Sequence, residues 1–181
     1  MPQQHGREEA LGPRRRSLAP ALVLSLACLA PFAGKAFHID DPLFVWTAQH
    51  IREQPRDFYG FSVNWYFFSM PMSEVTKNPP LACYYLALAG AVFGWSEISL
   101  HIALLLPAIG MLWGTYRLAE FFGSRPLVAA LVTLLTPAFL VSSSTVMCDT
   151  ILGCFWVWAL VFWERASRQD REEQAGRGPL D

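Results

Sequence analysis

From Pro79 to Trp163 the chain carries formal charge only at Glu97, Arg117, Glu120, Arg125 and Asp149. So long a stretch with so little charge leaves few folds open. In a bilayer it would form helices of about 20 apolar residues, because every backbone polar group in hydrocarbon must find its partner inside the protein. The other charges crowd into three places: "HGREEALGPRRR" at the N-terminus, the stretch from Lys35 to Lys77, and "ERASRQDREEQAGRGPLD" at the C-terminus. Composition agrees. Charged residues make up 16% and hydrophobic residues 53%, whereas a typical soluble domain is roughly 25% charged. The net charge of -1 gives no basic excess for nucleic acid. The pattern predicts an all-α integral membrane protein.

The apolar runs suggest about four transmembrane helices, at 18–34, 98–122, 126–146 and 150–164. A basic N-terminus at 1–17 precedes them and a polar tail at 165–181 follows. A signal peptide is the rival reading of the first run, but "PFAGKAF" offers no A-x-A cleavage site, which favours a retained helix. The run "PPLACYYLALAGAVFGW" is ambiguous, and charge placement decides it. Arg14, Arg15 and Arg16 put the N-terminus in the cytoplasm. If Pro79–Trp95 spanned, Arg117, Arg125 and the Arg-rich tail would all lie outside. If it is re-entrant, every basic cluster lies inside. The scheme therefore has a cytoplasmic tail and an outer loop at 35–97 with interfacial and re-entrant helices.

Within that loop, "PLFVWTAQHIREQ" reads as an amphipathic helix along the bilayer surface. Trp65, Tyr66, Phe67 and Phe68 read as an interfacial anchor, with a sugar platform the weaker alternative. Cys28, Cys83, Cys148 and Cys154 show no zinc or redox spacing and read as small packing residues. His38 and His50 read as surface residues and His101 as packed in the second spanning helix. None is assigned to a metal.

Asp40, Asp41 and Asp149 fall at one outer boundary in this scheme, with Lys77 beside them. Each has a plain explanation. Asp41 before Pro42 suits an N-cap followed by a first-turn proline. Asp149 could cap the fourth helix. Lys77 could snorkel. Acids between apolar segments are nonetheless costly unless they reach water or serve a function. General-base catalysis, binding of a divalent cation by oxygen ligands, and proton relay all remain open on residue chemistry alone.

Four stretches, "HIDDPLFVWTAQHI", "KNPPLACYYLALAGAVFG", "HIALLLPAIGMLWGTYRLAEFFG" and "TPAFLVSSSTVMCDTILGCFWVWAL", resemble in order the N-terminal half of the GT-C glycosyltransferases. The similarity is to the branch of protein mannosyltransferases and lipid A aminoarabinose transferases. It implies a partial GT-C transmembrane module, the amino-terminal portion of a longer enzyme, with 181 residues alone expected to be inactive. The implied reaction is inverting transfer of a sugar from a polyprenyl-phosphate donor to an acceptor hydroxyl of a protein, lipid or polysaccharide. The implied setting is the outer face of a bacterial inner membrane. By the resemblance Asp40 is the general base, Asp41 and Asp149 complete the catalytic set, and Lys77, displaced by one from the family's Lys-Pro-Pro start, meets the donor phosphate. Tyr84 and Tyr85 are expected to bind substrate. No cofactor is implied with certainty, and a divalent cation stays open. The alternatives are a non-catalytic scaffold or lipid-binding subunit, and a piece of a transporter.

Overall fold

The computed structural model describes residues 18–123 and 125–176. The N-terminal arginines that set the predicted topology, and residues 177–181, lie outside the described residues. The order is α1 (Ala19–Leu29, closed by a 3-10 turn at Ala30–Phe32), α2 (Asp41–Glu53), β1 (Ser62–Asn64), β2 (Ser69–Pro71), α3 (Met72–Val75), α4 (Leu81–Phe93), α5 (Glu97–Phe121), α6 (Pro126–Leu135), α7 (Pro137–Ser143) and α8 (Asp149–Gly176). The two strands pair antiparallel, with Val63 opposite Met70.

α5 is the axis of the molecule. Ser96 caps it, its hydroxyl accepting from the Ser99 N–H at 3.2 Å, and Glu97 in the first turn suits the positive end of the helix dipole. At 25 residues, with a mean hydropathy of 1.7 over an 18-residue window, α5 is long and apolar enough to cross a membrane. Pro107 lies inside it. Proline has no N–H, so the Ala103 carbonyl, one turn back, lacks its helical partner. The Tyr85 hydroxyl from α4 fills that gap, donating to the Ala103 carbonyl at 2.5 Å.

α8 packs along α5 through small residues. A Cβ added at Gly110 would lie 2.8 Å from Cys154 Sγ, and one at Gly114 would lie 2.6 Å from Val157 Cγ1. Gly110 and Gly114 form a G-x-x-x-G pair, which lets two helices approach where side chains of ordinary size would hold them apart. Trp158 Nε1 donates to the Gly110 carbonyl at 2.9 Å. Further along, the Arg168 guanidinium donates to the Phe121 carbonyl and covers the Phe121 ring at 5.0 Å. These contacts advance together along both helices, so α5 and α8 run parallel.

α1 and α6 run the other way. Ala21 and Ala130 meet Tyr116 near the end of α5, and Leu29 and Leu134 meet Ala108 and Leu112 nearer its start. The bundle therefore has two distinct ends. One holds Lys35–Asp41, Glu97 and the α7–α8 connection. The other holds Arg117 and the charged half of α8.

Three features differ from the sequence expectation. The segment expected as one helix over 126–146 is two helices bent by 67°. Thr136 precedes Pro137 and is extended, with ψ 128, because the ring of a proline disfavours helical geometry in the residue before it. The polar tail expected from residue 165 is helical and continuous with α8, and Glu164 and Arg168 pair there at 2.8 Å. Finally, α2 packs on α4 and buries Phe44, Ala48 and Ile51 in the same cluster as Leu86, Leu100 and Val146. Its apolar face is covered by protein.

Candidate active site at the acidic end

The candidate site lies where the 35–41 stretch meets the α7–α8 connection. Ile39 adopts a positive φ of 50 and turns the chain into α2. The two neighbouring acids then take different paths. Asp41 is fully buried. Its Oδ2 accepts from the His38 N–H at 2.9 Å and its Oδ1 from the Val146 N–H at 2.8 Å. The expected N-cap role is therefore corrected: the cap position belongs to Asp40, and Asp41 is the first helical residue. An N-cap side chain serves the N–H of the second or third helical residue. Here the second is Pro42, which has none, and the Asp41 carboxylate instead turns back to His38 and across to Val146.

Asp40 is half-buried, and its side chain makes no capping bond. Among the described residues no hydrogen bond or ion pair engages its carboxylate. Asp149, the first residue of α8, is exposed and likewise unpaired. The three acids thus divide into one structural clasp and two available carboxylates.

The connection gathers more of the first loop. The Lys35 ammonium donates to the Ser144 carbonyl at 3.2 Å. An ammonium has three donors, and no carboxylate within salt-bridge range pairs with this one among the described residues. Burial is the main cause that raises the Cys148 thiol above its ordinary pKa, and the Asp149 charge adds to it. Burial also raises the Tyr59 phenol, with smaller contributions from Cys83 and Cys148. The Tyr59 hydroxyl donates to the Asn78 carbonyl at 2.5 Å. Phe37 stacks on His101 at 6.3 Å between ring centroids. His101 Nδ1 lies 2.7 Å from the Glu97 carbonyl, which can only accept, so the ring proton sits on Nδ1.

The remaining expected residues fall elsewhere. Lys77 is exposed and donates to the Ser73 carbonyl at 2.6 Å. The Tyr84 hydroxyl donates to the Pro55 carbonyl, and that of Tyr85 to Ala103. Both rings line a groove of about 690 Å³ with Leu106, Trp113, Phe155 and Trp158, and its walls are almost wholly apolar. Among the described residues no three His, Cys, Asp or Glu side chains gather as a metal site. Sequence reasoning did not single out Lys35 and Tyr59, whose side chains the structure ties to Ser144 and Asn78. Lys35 carried a signal, since it ends the first apolar run at the depth assigned to Asp40. Nothing local marked Tyr59.

The described residues thus form a helical bundle with a membrane-length helix, an apolar groove and two unpaired carboxylates at one end. The chain belongs to the dolichyl-phosphate-mannose-protein mannosyltransferase family, whose model matches residues 77–175, over half of its length. Neither a curated protein nor a solved structure matches the chain. The matched span runs from Lys77 through α4 to Ala175 in the last turn of α8 and contains Asp149. Asp40 and Asp41 precede it and are tied to it by the Asp41–Val146 bond.

Proposed function

We propose that the acidic end is the catalytic face of a transferase that moves a sugar from a polyprenyl-phosphate donor to an acceptor hydroxyl, with Asp40 as general base. The observation that carries this reading is the division of labour between neighbours. Asp41 is committed to two backbone N–H groups, while Asp40 is half-exposed and unpaired. A base must reach the proton it removes, and a carboxylate already saturated by backbone donors is a poor one. Asp40 takes the acceptor proton as the hydroxyl oxygen attacks the sugar C1. The C1–O bond to the lipid phosphate breaks, and the leaving phosphate carries away the electron pair with inversion at C1.

The departing charge needs a cation. Lys35 is better situated for this than Lys77, because its ammonium is anchored on the same connection as Asp41. Asp149 orients the acceptor. The apolar groove between α4, α5 and α8 suits the donor's lipid tail. In the membrane, α1, α5, the bent pair α6–α7 and the apolar half of α8 make four crossings, with the acidic end outside. In a bacterium that side is the periplasm of the inner membrane.

The test is transfer in native membranes by the protein as the cell makes it, carrying Asp40→Asn, measured with radiolabelled donor. Transfer should fall by at least about 1000-fold, as expected for loss of a general base in a preorganised site, while thermal stability stays unchanged. Wild-type turnover in that variant would remove Asp40 from the role. Donor binding that survives the loss of Asp40, with no turnover in the wild type, would favour the lipid-binding subunit, to which the groove lends support.

A further inference from the structure

We infer that the β1–β2 hairpin is a lipid-inserting finger, whose partner is the acyl–headgroup boundary of the bilayer. Its tip presents three consecutive aromatic side chains to solvent: Tyr66 is 53% exposed, Phe67 100% and Phe68 60%. Phe67 has a φ of 69, a left-handed conformation that bulky residues rarely adopt. A phenylalanine both strained and wholly exposed gains nothing from the protein around it, so its gain must come from outside.

The finger is firmly mounted. Phe61 lies against His50 at 4.7 Å between centroids, and Trp65 meets Trp46 edge-on at 6.2 Å. Trp46 and His50 are one turn apart on α2. As the hairpin runs from Phe61 to Trp65, its contacts run from His50 back to Trp46, so the tip points toward the Asp40 end of α2. The Phe61 carbonyl also accepts from the Met72 N–H at 2.8 Å and closes the base of the hairpin.

The chemistry of the finger is graded. Ser62, Asn64 and Ser69 give it a polar shaft and the tip is aromatic, with no formal charge between Asp57 and Glu74. That gradient matches the interface, where rings sit at headgroup level and polar groups stay wet. The tip is convex and protrudes, so a rigid protein partner would need a matching hollow, whereas lipid yields around it. Elsewhere on the bundle Leu88 and Val92 of α4 and Ile102 and Leu106 of α5 are also exposed. The finger would hold Asp40 at the depth of a lipid phosphate. The insertion itself is independent of the proposed transfer.

The test places a fluorophore on Phe67→Cys, with Cys28, Cys83, Cys148 and Cys154 replaced by alanine, in reconstituted bilayers. Iodide should quench it about 3-fold less than a fluorophore on Arg56→Cys, and a nitroxide high on the lipid chain should quench it strongly, as for a side chain at the interface. Equal iodide quenching at both sites overturns the inference. So does shielding from both quenchers, which would mean that a protein covers the tip. The unmodified protein gives an independent reading that does not depend on the cysteine-free variant folding. A bilayer containing a photoactivatable lipid should label the peptide spanning Tyr66–Phe68, and labelling of α5 without that peptide overturns the proposal.

Discussion

The acidic end and the α5–α8 seam hold the same bundle together by opposite means. At the acidic end, polar side chains reach backbone groups far away in sequence: Asp41 to Val146, Lys35 to Ser144, Tyr59 to Asn78. Along the seam, glycines remove side chains so that helix surfaces meet, and Trp158 adds one bond to a backbone carbonyl. The difference follows from what is joined. Helices that meet through glycines join by close fit of their surfaces. Loops are instead aimed by directional bonds, and those bonds fix Asp41 against the α7–α8 connection.

The comparison is most exposed to failure at Asp41. Asp41→Ala leaves the Val146 and His38 N–H groups unmatched and should destabilise the protein by about 3 kcal/mol or more, judging by hydrogen bonds to charged groups. Asp40→Ala should change stability by less than about 0.5 kcal/mol, as for a substitution that touches no such feature. Denaturant titration of both in detergent checks the pair, and equal losses would dissolve the distinction between clasp and base. Gly114→Val, which forces a side chain into Val157, should cost about 1–3 kcal/mol by overpacking, read as a lowered unfolding midpoint.

Tyr85→Phe strips the Ala103 carbonyl of its partner and should cost about 1 kcal/mol. Pro107→Ala restores an N–H to that carbonyl, so the Tyr85 effect should shrink in a Pro107→Ala background, a coupling that a double-mutant cycle reads directly. The smallest effect concerns Cys148. A raised thiol pKa means less thiolate, so alkylation at pH 8 should be slower than for a free thiol and should climb as pH rises further. Asp149→Asn removes the lesser of the two causes and should speed alkylation about 2-fold, since the thiolate is the reactive form. An unchanged rate would separate Asp149 from the connection.

Much of the fold was written locally. Ser96 and Glu97 announce the start of α5, and the Asp-Asp-Pro stretch announces α2, though the cap sits one residue earlier than that pattern suggested. Pro137 signalled the α6–α7 bend, but an apolar run on both sides of it reads as continuous when judged by hydropathy. Gly110 and Gly114 were legible as a spacing, but only their approach to Cys154 and Val157 shows which helix they serve. The hairpin was hidden because strands of three residues leave too short an alternation to detect. The expected meeting of Asp40, Asp41 and Asp149 at one boundary rested on topology, and the described bundle brings Asp41 to the connection that ends at Asp149. The separate fates of Asp40 and Asp41 were beyond local reading, since Val146 lies 105 residues away from Asp41.

That separation also sets a timetable. Loops this long close only after their later partner exists, and the chain is made from its N-terminus. Asp41 therefore leaves the ribosome well before Val146 has been synthesised. Until Val146 arrives, the first loop carries the Asp41 carboxylate with no distant mate. The acidic end is joined only when the last helices arrive, so a nascent chain halted before Val146 would hold every acid of the first loop and still lack the Asp41–Val146 bond.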